Sequence, residues 1–241
     1  MSRTILIMGG TGDLGLALAE AMWQTGDTLL LQGIGDLSRA QAFADTHAGT
    51  HVLCCDLTDA AAVTAFIAQV KAIGTPDHLV HMPALPVVNA KFKNFNEERF
   101  EADFAIQVRS ALQVCKAFVP AMAKAKYGRV LFVLTSYILG VPPKNVTAYV
   151  TAKSALEGMA RSLAIEYAAN GVTVNCVAPS MIETSFLADT SNLIVEAAAQ
   201  ANPMGRNATV DDVVPAMCFL LSEQARYITG VTLPITGGSQ M

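Results

Sequence analysis

The chain has 241 residues, 52% hydrophobic and 15% charged, with a formal net charge of −4. That length supports one generous core, and the sparse charge points to extensive burial, subunit contacts included. The negative balance excludes nucleic acid or an anionic membrane surface as partner, since both need a positive field.

The first strand candidate, residues 3–8, runs into "GGTGDLG" and out as a helix over 13–25. Gly9, Gly12 and Gly15 fall three apart. Gly9 suits the tight turn, Gly12 a close approach of backbone N–H groups to a pyrophosphate, and Gly15 close packing of helix on strand. The helix N-terminus adds the positive end of a dipole. Asp13 stands where a phosphate's charge would lie, but a carboxylate is locally favourable at a helix start and can point away from a ligand. The second strand, 28–34, ends at Gly33, where an NAD-selective acid would meet the ribose. No acid occurs before Asp36, while Gly33, Gly35 and Arg39 suit a 2′-phosphate, which favours NADP over NAD.

Helix 37–46, strand 51–55, helix 59–73 and strand 77–82 follow, then helix 96–125 and strand 129–135. Helix 148–169, strand 172–178, helix 209–221 and strand 231–235 complete the pattern. Strand–helix alternation with near-continuous apolar strands means one α/β domain over 1–241, a doubly wound parallel sheet of about seven strands with helices on both faces. Residues 180–206 break the alternation and read as a substrate lid, with "NLIVEAAAQA" as its helix. The apolar run "VLFVLTSYILGVPP" is too short to span a bilayer and ends in prolines. Cys54, Cys55, Cys115, Cys176 and Cys218 all sit in apolar runs without metal-ligand spacing, so buried thiols in a reducing cytoplasm are expected. The first strand candidate starts almost at Met1, so no targeting peptide is expected.

Tyr149 and Lys153, at i and i+4, share a helix face. An ammonium ion near a phenol favours the phenolate and lowers its pKa, which equips the phenol to exchange a proton with a substrate oxygen. Ser136, thirteen residues before Tyr149 at a strand end, can hydrogen-bond the same oxygen. His81, alone at a strand end, reads as a packed or hydrogen-bonded residue, and His47, His51 and His78 lack metal-ligand partners, so no metal site is expected.

The whole chain resembles the short-chain dehydrogenase/reductase family. The resemblance rests on the glycine loop, "CDL" at 55–57, Ser136, "YVTAK" at 149–153, "VNCVAPS" at 174–180, "IET" at 182–184 and "YITGVTLPITGG" at 227–238. Within the family it is most similar to 3-oxoacyl-carrier-protein reductases. The resemblance implies hydride transfer between a nicotinamide and a carbonyl carbon, usually in a homotetramer. By it, Ser136 orients the carbonyl, Tyr149 donates the proton, and Lys153 binds the ribose and tunes Tyr149. Asp56 faces the adenine and Thr184 the carboxamide. Further cofactor contacts fall on Gly9, Thr11, Gly12, Asp13, Leu14 and Gly15, then on Gly33, Leu57, Pro83, Pro179 and Ile182. Three departures stand out, the first being Asp13 at the middle glycine of the family's commoner TGxxxGxG spelling, with Gly12 taking over the approach role. "HMPA" at 81–84 replaces the usual Asn-Asn-Ala-Gly, and Gln107 replaces the Asn that supports the lysine.

Ile138, Leu139, Val141, Pro142, Met181, Ile182, Phe186 and Leu187 make the expected substrate side apolar, which suits an acyl chain better than a phosphosugar. Lys124, Lys126 and Arg129 offer a basic patch where an acyl carrier protein could dock. The resulting expectation is a cytoplasmic NADPH-dependent reductase of a 3-oxoacyl thioester, with helices 96–125 and 148–169 in a tetramer interface. The alternatives are a polyol, sugar or steroid dehydrogenase, or a cofactor-binding protein with weakened catalysis.

Overall fold

The computed structural model describes residues 2–239; Met1, Gln240 and Met241, the ends of the expected 1–241 domain, lie outside the described residues. Seven parallel strands form one sheet in the order β3-β2-β1-β4-β5-β6-β7. They are β1 (Thr4–Met8), β2 (Thr28–Gly33), β3 (Thr50–Cys54), β4 (His78–His81), β5 (Gly128–Val133), β6 (Val172–Pro179) and β7 (Thr232–Ile235). The inner strands are mostly apolar and almost wholly buried because helices cover both faces. Successive residues of β1 divide between those faces. Leu6 and Met8 join Phe66, Phe118 and Leu156 on one side, while Ile5 and Ile7 join Leu18, Val213 and Met217 on the other. Each such side chain contributes roughly 1.5–3 kcal/mol by leaving water. Edge strands differ: β3 is only partly buried, and β7 accommodates Pro234, which a central strand would not.

The helices are α1 (Asp13–Met22), α2 (Ser38–Thr46), α3 (Ala60–Ile73), α4 (Glu97–Phe104), α5 (Ser110–Ala125), α6 (Thr147–Tyr167), α7 (Asn192–Ala201) and α8 (Val210–Leu221). Their starts follow side-chain chemistry: Asp59 accepts from Ala61 N at 2.7 Å, and Asn96 accepts from Arg99 N at 2.9 Å. Among the described residues no helix is long and apolar enough to cross a membrane.

Three expectations need correction. Helix 96–125 is not one regular α-helix, because a π turn at Ala105–Arg109 separates α4 from α5. Arg129 is no part of a basic patch: it is 3% exposed, and its guanidinium donates to Glu223 at 2.8 Å. β5 points it inward, which charge counting cannot show. Cys54 is exposed at the end of β3 rather than buried.

The order of strands reverses between β1 and β4, and the loops leaving their carboxyl ends open a crevice there.

Candidate active site

The glycine loop leaves β1 at Gly9, whose φ of 76° lies in the left-handed region that glycine adopts without strain. A buried amide fixes it: Gly9 N donates to Gln32 Oε1 and Gln32 Nε2 donates to Cys55 O, both at 2.9 Å. Sequence reasoning missed Gln32, although a lone amide inside the apolar run "TLLLQG" is a signal for a bracing role. A Cβ on Gly15 would lie 2.4 Å from Gly9 O, so α1 seats directly on the loop backbone. A Cβ on Gly12 would meet only Gly9 O, at 3.7 Å, and otherwise stand in open cavity space. Gly33 is different. A Cβ there would lie 2.1 Å from Thr11 Oγ1, so Thr11 packing demands glycine, and room for a 2′-phosphate is not the reason.

The Asp13 carboxylate accepts from Ser185 N and from Arg39 Nη1, each at 2.6 Å. The Ser185 N–H first, then Arg39, hold its pKa below the usual value. Arg39 is therefore paired with Asp13. Asp36 is turned to Ser38 N, at 2.9 Å, and does not line the crevice.

A cavity of about 820 Å³ runs from this loop to the lid. Thr11, Gly12, Asp13, Leu14 and Gly15 line its start together with Gly9. Gly33, Asp56, Leu57 and Pro83 line its length. Tyr149, Lys153, Pro179, Ile182 and Thr184 surround its far end. Thr58 N and Oγ1 hold Asp56 at 2.8 and 2.7 Å. The open cradle at Gly12, beneath the N-terminus of α1, suits a dinucleotide's phosphates.

At the exit of β5 the chain is extended at Thr135 (φ −153°, ψ 147°). Thr135 and Tyr137 line the cavity, and Ser136, only 2% exposed, does not. Neighbouring side chains on extended backbone face opposite ways, so a spacing of thirteen residues could not tell Thr135 from Ser136. The Thr135 hydroxyl faces the Tyr149 phenol and pulls its pKa down against the larger effect of burial, and the Tyr137 ring stands edge-on to Tyr149, centroids 6.4 Å apart. Burial raises the Tyr149 pKa above its ordinary value. Lys153 Nζ donates to Val133 O at 2.7 Å and lies 5.7 Å from the Tyr149 ring centroid. Burial lowers its pKa to about 7. Burial, and not Lys153, sets the direction of the phenol's shift. Desolvation governs both groups.

Gln107, fully buried in the π turn, does not line the cavity. Its Nε2 donates to Asp103 Oδ1 at 3.4 Å, while its Oε1 has no partner among the described residues. Burial raises the Asp103 pKa. His81 is buried and held to Ser110 Oγ at 2.9 Å. Ser110 already donates its proton to Ile106 O, so His81 Nε2 carries the hydrogen and Nδ1 is an acceptor. Burial first, then the Lys153 charge, lower the His81 pKa to about 3. The residue is a neutral brace for the π turn.

The apolar end is lined by Leu85, Val87, Met181, Phe186, Leu187 and Ile194. Ile138 and Leu139 instead pack on the core, and Val141 is 90% exposed, so that part of the expected pocket is corrected. Ile138 ends the 3₁₀ turn Ser136–Ile138 and packs inward from it.

A family model described as enoyl-(acyl carrier protein) reductase matches residues 11–240. The 3-oxoacyl-[acyl-carrier-protein] reductase MabA of Mycobacterium bovis is 31% identical, covering 100% of this chain and 94% of that protein. FabG of Escherichia coli, of the same activity, is 30% identical over 99% of this chain and 98% of its own. A putative NAD(P)-dependent gluconate 5-dehydrogenase of Beutenbergia cavernae, solved with NADP, superposes with a TM-score of 0.89 at 27% identity. That match covers 98% of this chain and 96% of the solved one. With the parallel sheet, the glycine loop and the Tyr149–Lys153 helix, these likenesses identify the chain as a member of the short-chain dehydrogenase/reductase family, NAD(P)-dependent oxidoreductases acting on CH–OH and C=O groups.

Proposed function

We propose that this protein is an NADPH-dependent reductase of 3-oxoacyl thioesters, presented on acyl carrier protein or coenzyme A, and that it works in the cytoplasm. The observation that carries the reading is the single cavity joining the glycine loop, Tyr149 and an apolar wall. Bound NADPH would supply the hydride. The loop from Gly9 to Gly15 would hold its phosphates, Asp56 and Leu57 its adenine, and Lys153 its ribose. Pro83, Pro179, Ile182 and Thr184 would enclose the nicotinamide. The residue that follows Gly33 into the cavity is Ile34 rather than a carboxylate, which supports a 2′-phosphate over free ribose hydroxyls.

Tyr149 gives its phenolic proton to the substrate oxygen. Its raised pKa keeps that proton available, and the Lys153 ammonium stabilises the phenolate left behind. Thr135 takes the orienting role expected of Ser136, because it faces the phenol. Gln107, braced by Asp103, supports the site from behind.

The polyol, sugar or steroid alternative uses the same machinery, but the lining from Met181 to Ile194 favours an aliphatic chain. Mixing protein, NADPH and a short 3-oxoacyl thioester should consume the reduced nicotinamide. Turnover of gluconate-type polyols with none of thioesters would overturn the substrate assignment, and binding of NADPH without any turnover would favour lost catalysis.

The assembly proposed is a homotetramer with α4, α5 and α6 in one interface. Leu112 on α5 is 56% exposed, Ile165 on α6 84% and Tyr227 fully, an apolar surface that a partner copy would cover. Light scattering that returns a monomer at micromolar concentration would overturn it.

A further inference from the structure

Asp13 begins α1, yet its carboxylate does not serve that helix alone. One oxygen accepts from Ser185 N, 172 residues further along the chain, at 2.6 Å. Its other oxygen accepts from Arg39 at 2.6 Å, so a guanidinium on α2 steadies the carboxylate from behind. Ser185 opens the 3₁₀ turn Ser185–Leu187, and Thr184, Ser185, Phe186 and Leu187 all line the cavity. The backbone hydrogen bonds donated by Leu187, Ala188 and Thr190 run within the segment itself. Its entry is fixed to the body by the bridge Ile182↔Ala208. Asp13 supplies the next tie, and it ties the lid to the glycine loop.

We propose that Asp13 is a positioning residue for the lid, holding Thr184–Leu187 as a wall of the cavity through the Ser185 N–H. The proposal rests on reading the cavity as the cofactor and substrate cleft. It also explains an acid at the phosphate-facing end of α1. The carboxylate's charge is spent on a backbone donor and an arginine, and does not oppose the ligand. A hydrogen bond to a charged acceptor is stronger than a neutral one, and its loss should free the segment by about ten- to a hundredfold.

Two variants test the link from opposite ends. Asp13→Ala removes the acceptor. Ser185→Pro removes the donor and leaves Asp13 in place. Proline suits the first position of a helical turn, and Thr184 before it is already extended at φ −145°, ψ 170°. Amide hydrogen exchange of residues 184–190 in the ligand-free protein reads the lid without any cofactor. Stopped-flow release of NADPH reads its consequence. Each variant should speed exchange and NADPH release by about ten- to a hundredfold, and the double variant should be no faster than either alone. Unchanged exchange in Asp13→Ala, or effects that multiply in the double variant, would overturn the proposal. If the wild type fails to bind NADPH, the cofactor reading falls, and the exchange comparison still decides the anchor.

Discussion

The two ends of the cavity hold their geometry by different means. At the glycine loop the backbone itself forms the wall, and glycine is demanded where a backbone atom already stands, Gly9 O against Gly15; at Gly33 the Thr11 side chain fills the space. At the exit of β5 the wall is side chains, and whether a hydroxyl faces the cavity depends on which of two neighbours points inward. Where backbone already fills the space no side chain fits, so the residue type announces the site. A side-chain site announces only its ingredients.

The sharpest way to separate the two ends is to damage one and assay the other. Tyr149→Phe removes one hydroxyl, so turnover should fall by roughly two to four powers of ten while NADPH titration stays near wild type. Near-normal turnover would mean the proton comes from elsewhere. Next, Thr135→Val and Ser136→Ala test the orientation at the β5 exit. Thr135→Val should cost about a hundredfold in kcat, the order expected for a lost hydrogen bond to the reacting oxygen. Ser136→Ala should cost much less. Steady-state kinetics with the larger loss in Ser136→Ala would reverse the assignment.

A third experiment returns to the adenine end. Ile34 lines the cavity and is 59% exposed, so Ile34→Asp can place a carboxylate without the clash that any side chain at Gly33 meets. Affinity should shift from NADPH towards NADH by about tenfold through charge repulsion. A wild type that already prefers NADH in the same titration would refute the NADP assignment.

The last expected effect is on stability, and it comes from Lys153. Its folded pKa, about 7, lies below the roughly 10.4 of an unfolded lysine, so folding favours the neutral form. The cost of burying the charge is therefore absent above the unfolded value, grows as pH falls towards 7, and is complete below it. Lys153→Met should abolish turnover yet raise stability at pH 6 by on the order of 1–3 kcal/mol, with a smaller gain at pH 9. Denaturant melts at the two pH values give the comparison, and a gain that grows with pH would contradict the sign.

Much of the fold was legible. The β1 run enters its glycines as an inner strand must, and Asp59 and Asn96 mark the helix starts that they cap. The cavity gathers the expected loop residues because consecutive backbone atoms cannot scatter. Arg129 and Val141 were not placed correctly, and the burial of Ser136 away from the cavity wall was not foreseen, since each depends on rotation about a strand or turn that composition does not encode. The Asp13–Ser185 contact was invisible for another reason: it joins residues 172 apart, and nothing in either neighbourhood names the other.

The π turn at Ala105–Arg109 has a consequence for how α4 and α5 read as one helix. It accommodates one residue beyond the α-helical count, and each residue of an α-helix advances its angular phase by about 100°. Residues on either side are therefore written in two phases. Asp103 and Arg99 obey the first; Ser110, which holds His81, obeys the second. Removing a single residue from the turn would restore a regular helix and rotate the whole of α5 relative to α4, so that Asp103 on α4 and Phe118 on α5 could not both keep their places. The turn works as a splice between two registers, and the chain can alter its length there only in steps that preserve both.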